Sequence, residues 1–268
     1  GRLMILHPLS FIEDPTRILR AARFENQLGG FRMDPQTEAF ARHALASSRF
    51  DGLSSARVKG ELRRGFALPS ALPFAQRLED LDAWRMLDPR LHLRRPEACA
   101  IARIARMDLP EPSRWLLFLA VLLRPLETAS RDRIVTGMHL SRVELGTLHG
   151  AWELDAAPTV EWSGMGSAEL AQRLEHKNDL ALAYLLATVR SKPARARLAD
   201  YRDRLWHLKL ERIDGDWLKA HGLPPGPRYK EILRELLVRK REGTLPSGAD
   251  EEREARALIA RYNEGSPP

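Results

Sequence analysis

Cysteine is almost absent from this sequence, and its scarcity excludes a disulfide framework. The single cysteine among the 268 residues, Cys99, stands in an apolar stretch from Ala98 to Ala102. In such surroundings a thiol is expected to be buried filler rather than a nucleophile. One cysteine forms no disulfide within the chain, so the composition fits a reducing cytoplasm.

Long apolar runs are missing as well. The longest one extends from Trp115 to Leu123, far short of the roughly 20 residues that span a bilayer. The sequence shows no signal-peptide pattern. No helical pattern combines a wide apolar face with a face rich in Lys and Arg, which argues against binding to an anionic membrane surface. The sequence therefore predicts no membrane partner.

Acidic residues are outnumbered by basic ones. The chain has 43 Lys and Arg against 36 Asp and Glu, which gives a net charge of +7. Most of the positive charge is Arg, whose planar guanidinium suits phosphates and base edges. A basic chain favours a polyanionic partner, with nucleic acid before a membrane. A merely basic, solvated surface would explain the charge equally well.

Strand-like alternation is nearly absent, whereas helical periodicity fills the chain. Asp14-Pro15 and Asp34-Pro35 each have an N-cap residue followed by proline at the first helical position. Ser54-Ser55 can cap a third helix that ends near Phe66. The pattern predicts an all-α fold, an elongated array of short helices. Later helices are expected at 167–174, 178–189, 193–208, near 214–221, at 230–242 and at 250–262.

Proline and glycine between residues 155 and 166 mark the best candidate linker. We therefore expect three parts in the chain. The first covers residues 1–68, the second covers residues 69–160, and the third covers residues 161–268.

Charged residues crowd the entrance of the first predicted helix. Glu13 and Asp14 stand at the entrance, and Arg17, Arg20 and Arg23 follow at a spacing of three, which places them on a slowly drifting stripe. A carboxylate beside a guanidinium offers an acceptor and a donor together, as reading the edge of a base requires. A capped helix with solvated arginines and local salt bridges explains the spacing alone as well.

A second candidate site lies where the 230–242 helix begins. A Gly-Pro turn precedes it, and Arg228 and Lys230 fall in or next to its first turn. A helix N-terminus exposes backbone N–H groups and the positive end of the helix dipole, so this pattern is typical of a phosphate site. A proline-rich helix entry with two solvated cations is the alternative.

Three segments together resemble the class II tRNA nucleotidyltransferases and bacterial poly(A) polymerases. The stretch from Leu6 to Phe31 is similar to their base-reading helix and contains the motif Glu-Asp-x-x-Arg at residues 13–17. The stretch from Ser54 to Leu62 resembles a later family motif. The region from Ala183 through Ile213–Leu233 resembles the tail of the adenine-adding branch. Residues 70–180 match only in general helical character.

The resemblance implies roles for particular residues. Asp14 and Arg17 would select the incoming nucleotide by pairing with its base, while Glu13, Arg57 and Glu61 would hold Arg17 in place. The three predicted parts would be the neck, the body and the tail of a nucleotidyltransferase.

The resemblance also implies an RNA partner. The body and tail would grip the acceptor arm and elbow of tRNA by shape and by phosphate contacts. Arg20, Arg23, Arg228 and Lys230 are the residues expected to contact RNA.

The catalytic head of the family is not recognisable in this sequence. No Gly-rich phosphate loop precedes Phe11, and Asp214-Gly215-Asp216, which has the spacing of a carboxylate pair, is predicted to be a helix cap. No spacing of the eight histidines indicates zinc. Phosphoryl transfer depends on metal ions. The intact enzyme is therefore expected to contain an additional N-terminal head domain and to use Mg²⁺ with ATP or CTP. This chain alone is expected to bind no cofactor and to be inactive.

Two questions remain open at the level of sequence. The residues do not separate an enzyme that adds AMP from one that adds CCA or from a poly(A) polymerase. The alternative from a different functional class is a stand-alone RNA-binding adaptor. In such a protein Asp14 and Arg17 would have no role in nucleotide binding.

Overall fold

The computed structural model describes residues 1–47, 50, 55–67, 71–109, 113–155, 162–174 and 177–264. Over these residues nearly all of the regular secondary structure is helical, which confirms the all-α prediction. Its helices are α1 (Ser10–Glu13), α2 (Thr16–Gln27), α3 (Pro35–Ser47), α4 (Ser55–Phe66), α5 (Ala71–Asp80), α6 (Arg95–Ile104), α7 (Arg114–Leu123), α8 (Thr128–Gly137), α9 (Arg142–Asp155), α10 (Ser167–Arg173), α11 (Asp179–Thr188), α12 (Lys192–Tyr201), α13 (Gly215–Ala220), α14 (Pro227–Arg241) and α15 (Gly248–Glu264).

A pair of very short strands is the only sheet among the described residues. Strand β1 (Arg2–Leu3) pairs in parallel with β2 (Arg32–Met33). The sequence analysis missed both strands, because two residues are too few to show the alternation that marks a strand.

The helices form two compact units. Unit 1 comprises residues 1–158 and 178–188, and unit 2 comprises residues 159–177 and 189–268. The predicted parts 1–68, 69–160 and 161–268 stay a prediction. The return of residues 178–188 to unit 1 was not anticipated from the sequence.

Helix α7 is the centre of unit 1. Every residue from Trp115 to Leu123 is buried, as expected for a helix that is apolar on all sides. Helices α4, α6, α9 and α11 pack around it. Helix α11 is also apolar on nearly all sides and lies against α6 and α9. Because α11 is buried against helices of unit 1, residues 178–188 belong to unit 1, although the residues on either side of them belong to unit 2.

Unit 2 has its own core between α13, α14 and α15. Nine buried apolar side chains form it: Ile213, Leu218, Leu223, Ile232, Leu236, Leu245, Ala255, Leu258 and Ile259. The helix predicted at 193–208 is interrupted in this unit. Helix α12 ends at Tyr201, and a π-helical turn from Arg202 to Trp206 follows it. Such turns insert one extra residue into a helix and recur at functional sites.

The predicted helix caps can be compared with the structure individually. Helix α3 begins at Pro35, as predicted, and Asp34 Oδ1 accepts the Gln36 N–H at 3.0 Å. Helix α2 begins at Thr16, one residue later than predicted, with Asp14 Oδ1 accepting the Thr16 N–H at 3.1 Å. The predicted cap at Ser54 lies outside the described residues.

The prediction of a buried Cys99 is wrong. Its side chain is exposed on α6. Helix α6 turns Glu97, Ala100 and Ile101 inward, and at about 100° per residue this leaves Cys99 on the opposite face. The apolar neighbourhood in sequence is therefore not a neighbourhood in space. No helix of the described residues is long and apolar enough to cross a membrane.

Gly65 in α4 lies directly against a core aromatic ring. A Cβ added there would come within 2.2 Å of Phe74 Cε1. Phe74 is fully buried, and its ring packs edge-on against Phe66 with 5.7 Å between centroids, so it has no room to move aside. We expect Gly65→Ala to lower the free energy of unfolding by about 1–3 kcal/mol, measured by urea denaturation.

Gly60 on the same helix provides the matched control. A Cβ there would meet only the flexible guanidinium of Arg64, at 3.5 Å. Because alanine favours the helix over glycine, Gly60→Ala is expected to raise the free energy of unfolding by about 0.5–1 kcal/mol. Equal effects of the two substitutions would contradict the close packing of α4 on Phe74.

Candidate functional site

The packing of α2 on α4 builds the first candidate site in unit 1. Ile18 and Leu19 of α2 are buried together with Val58 and Leu62 of α4 in one core, and the two helices lie in contact. This pairing turns the charged sides of both helices to the same region. Charged residues that lie some forty positions apart in sequence therefore become neighbours.

Asp14 is the acceptor at the centre of this site. Its Oδ1 is occupied by Thr16, whereas its Oδ2 lies 3.3 Å from Arg57 Nη1 and 3.8 Å from Arg17 Nε. The structure thus brings Asp14, Arg17 and Arg57 together. Arg57 was predicted to hold Arg17 directly, but in the structure it contacts Asp14. Arg57 and Arg17 are therefore linked only through the Asp14 carboxylate, which both approach.

Arg17 is the donor of the pair. Its Nη1 donates to the Ser10 carbonyl oxygen at 3.1 Å and to Ser10 Oγ at 2.7 Å. Glu13 Oε2 lies 3.7 Å from the same nitrogen, as the predicted role of Glu13 in holding Arg17 requires. The Arg17 side chain stays 41% exposed, so a ligand can reach it. Sequence analysis missed Ser10, because no helical period relates it to Arg17 across the break between α1 and α2.

Glu61 does not hold Arg17, contrary to the prediction. It is 2% exposed, and its carboxylate accepts from Arg20 Nε at 3.1 Å and from Arg23 Nε at 3.0 Å. Arg64, which sequence analysis did not single out, donates to it at 3.2 Å. The register of α2 on α4 causes this, because it places Glu61 opposite the later arginines of the stripe.

The two arginines bound to Glu61 differ in their access to a ligand. The Arg23 side chain is only 11% exposed, whereas that of Arg20 is about half exposed. Arg20 and Arg17 also line a cleft of about 220 Å³, with Phe11 and Phe24 among its apolar walls. Pockets for small ligands measure roughly 300–1,000 Å³, so the cleft holds only part of a nucleotide.

The second candidate site lies at the start of α14 in unit 2. Gly226 precedes the helix, and Pro227 occupies its first position. Arg228 and Lys230 are exposed in the first turn, and the Arg228 guanidinium lies 5.9 Å from the centre of the Tyr262 ring. The predicted combination of a helix N-terminus with two cations is therefore present.

Asp214 is a helix cap in the structure, as the sequence predicted. Its Oδ1 accepts the Trp217 N–H at 2.8 Å. Across the described ranges, no group of three His, Cys, Asp or Glu side chains is placed to hold a metal ion.

Relatives of this chain are found among enzymes that act on tRNA. The chain is 26% identical over 267 residues to the A-adding tRNA nucleotidyltransferase of Geobacter sulfurreducens. This match covers 94% of this chain and 30% of the relative. It is 45% identical over 86 residues to a multifunctional CCA protein of Xanthomonas campestris, covering 31% of this chain and 20% of the relative. The chain thus spans about a third or less of the length of these relatives. No protein-family model matches it.

Solved structures share the fold of nearly the whole chain. A Thermotoga maritima CCA-adding enzyme in complex with tRNA superposes with a TM-score of 0.81 at 22% identity, covering 97% of this chain and 64% of that one. A CCA-adding enzyme bound to CTP gives a TM-score of 0.81 at 23% identity, covering 98% and 63%.

The helical fold is that of the corresponding part of CCA-adding enzymes. Together with the matching sequences, it confirms the resemblance that the motifs indicated. The chain is similar in sequence to an A-adding tRNA nucleotidyltransferase and shares the fold of part of CCA-adding enzymes.

Proposed function

We propose that this chain is the RNA-binding and nucleotide-selecting part of a tRNA nucleotidyltransferase, an enzyme that adds AMP or CCA to the 3′ end of tRNA. The observation that carries the proposal is the match over 94% of the chain to an A-adding tRNA nucleotidyltransferase. Solved enzymes of the same fold, in complex with tRNA, CTP and ATP, support it.

Asp14 and Arg17 have the chemistry that nucleotide selection requires. Asp14 Oδ2 can accept a hydrogen bond from an exocyclic amino group, and the exposed guanidinium of Arg17 can donate to a ring nitrogen or a carbonyl. Ser10 and Glu13 fix the guanidinium from one side. ATP or CTP would therefore be read by its base edge, while Arg57 holds the Asp14 carboxylate.

The tRNA partner would be held by cations at two places. In unit 1, Arg20 and Arg64 project from the α2–α4 pair beside Glu61, with 48% and 63% of their side chains exposed. In unit 2, Arg228 and Lys230 stand at the N-terminus of α14. Phosphates of a folded RNA could bind at both cation sites, since helical RNA is recognised mainly through its backbone and shape.

Among the described residues, no group of three or more His, Cys, Asp or Glu side chains is placed to hold a metal ion. We assign no metal-dependent step to them. In the proposed enzyme the metal-binding chemistry belongs to an N-terminal head domain, and this chain contributes base reading and RNA binding.

Removing two tail cations tests the RNA partner. We expect the double variant Arg228→Ala, Lys230→Ala to bind tRNA more weakly, because two phosphate contacts are lost. The slope of log affinity against log salt should fall by about 0.9 for each contact. Fluorescence anisotropy with labelled tRNA over a salt series measures both quantities.

Arg261 supplies the control for this experiment. It is exposed near the end of α15, and Arg261→Ala removes a charge of the same sign outside the proposed site. If the double variant behaves like Arg261→Ala, or if tRNA binds no better than an unstructured RNA of equal length, the tail does not grip tRNA.

A further inference from the structure

Unit 2 contains a groove that the proposed function leaves unused. It lies between α10 and α14 and has a volume of about 1140 Å³. Ala171 and Leu174 line it from the side of α10, and Leu233, Leu237 and Val238 line it from α14. The groove is larger than the roughly 300–1,000 Å³ of ordinary small-ligand pockets, so it suits an extended occupant.

Four basic and two acidic side chains line this groove. Lys177, Lys230, Arg234 and Arg241 all line it. Of the two acidic residues that line it, Glu235 is engaged by Arg239 Nη2 at 2.7 Å. The groove therefore favours an occupant that is anionic outside and apolar or aromatic within. Lys230 also connects the groove to the phosphate site proposed at the start of α14.

A buried donor without an acceptor marks one end of the groove. The Nε of Arg241 is buried and has no hydrogen-bond partner, although Arg241 Nη2 donates to the Trp206 carbonyl oxygen at 3.1 Å. Trp206 itself lines the groove and closes the π-helical turn that interrupts the helix after Tyr201. A buried polar group left unpaired is costly, which points to an acceptor supplied by a ligand.

We propose that the α10–α14 groove binds unstacked nucleotides of a single-stranded RNA segment, an inference that rests on the proposed function. Bases would lie against Leu237, Val238 and Trp206, and phosphates would lie on Lys230 and Arg234. A base edge carries ring nitrogens and carbonyls that can accept from Arg241 Nε. RNA is read with sequence preference mainly in such unpaired segments.

The test uses a labelled RNA hexamer without secondary structure and an RNA duplex that carries the same number of phosphates. The intact chain is expected to bind the hexamer more tightly, as measured by fluorescence anisotropy. Leu237→Gln should weaken hexamer binding about tenfold, as expected when roughly 50–60 Å² of apolar surface is no longer buried against a base, and leave the salt slope and the duplex affinity unchanged. Leu237 is half-buried and is not part of the unit 2 core, so the variant should fold.

A second variant separates charge from apolar contact. Arg234→Gln should weaken hexamer binding and lower the salt slope by about 0.7, the value for one phosphate contact with a single strand. Arg261→Gln, outside the groove, should change neither affinity. If Leu237→Gln leaves hexamer binding unchanged while Arg228→Ala, Lys230→Ala still weakens tRNA binding, the groove proposal fails and the proposed function stands. Binding of an acidic amphipathic peptide that is sensitive to Leu237→Gln, with no hexamer binding, would assign the groove to a protein partner and overturn the RNA proposal.

Discussion

Replacing Glu61 by alanine is expected to lower the free energy of unfolding of unit 1 by about 3 kcal/mol. The Glu61 carboxylate is buried and accepts from the guanidiniums of Arg20, Arg23 and Arg64. Its removal leaves Arg23, whose side chain is only 11% exposed, among like charges without a counter-charge. Urea denaturation followed by hydrogen exchange of the α2 and α4 amides measures the loss.

Glu13 is the control for this substitution. Its side chain is 57% exposed, and its distances to His7 and Arg17 are 4.0 and 3.7 Å. Ion pairs of this kind contribute at most about 1 kcal/mol, so Glu13→Ala should barely change the free energy of unfolding. Similar losses from the two variants would contradict the assignment of Glu61 as the buried anchor of the α2–α4 pair.

The second large effect is expected in unit 2, where Lys240→Met should cost about 3–5 kcal/mol. Lys240 Nζ donates to Glu211 Oε1 at 2.8 Å and to Glu251 Oε1 at 2.5 Å. Glu251 is completely buried, and its other oxygen accepts the backbone N–H groups of Glu211 and Arg212. Without Lys240 the buried carboxylate has no cation beside it. Faster hydrogen exchange of the α14 and α15 amides in the variant is expected to report this loss of stability.

The Lys240 contribution should depend on pH. Its hydrogen bond lowers the pKa of Glu211 below the ordinary value of 4.5. A lowered pKa stabilises the folded state above that value, and the contribution is lost as the pH falls through the folded pKa. Burial alone would lower the pKa of Lys240, but its hydrogen bonds to Glu211 and Glu251 outweigh burial and raise the pKa above 10.5. The stabilisation by charged Lys240 is therefore lost only at alkaline pH, as the pH rises through this raised pKa. The difference between wild type and Lys240→Met should therefore shrink below pH 4.5.

Arg239 is the matched control for Lys240. It is the adjacent residue on α14, and it pairs with Glu235 and Glu254 while remaining about one-third exposed. Arg239→Met removes the same charge from a solvated pair, so about 1 kcal/mol or less is expected. An equal loss from both variants would mean that net charge, and not burial, decides the effect.

Much of the helical fold could be predicted because its signals are local. An Asp carboxylate before proline marks the start of α3 and, within one residue, that of α2. The apolar run from Trp115 to Leu123, which the sequence analysis used only to exclude a membrane span, proves in the structure to be part of the buried helix α7. Asp214 shows the same local logic, since it caps α13 by accepting the N–H of Trp217. Glu13 and Asp14 lie just before α2 and within four residues of Arg17 in sequence, so these three charged residues were expected to lie close together.

The partners of these residues were decided only by tertiary packing. The register of α2 on α4 places Glu61 against Arg20 and Arg23 and leaves Arg57 beside Asp14. A pattern within one helix says which face a residue occupies, but it contains no information about the register of a second helix against that face.

Sequence by itself therefore determined that the chain is helical, where several of its helices begin, which family it resembles and which charged residues to consider. The exposure of Cys99, the transfer of α11 to unit 1 and the groove between α10 and α14 came from the structure alone. The physical reason is the same in each case. Helix formation depends on neighbours within about one turn, whereas burial, ion-pair partners and grooves depend on which helix faces meet across long stretches of chain.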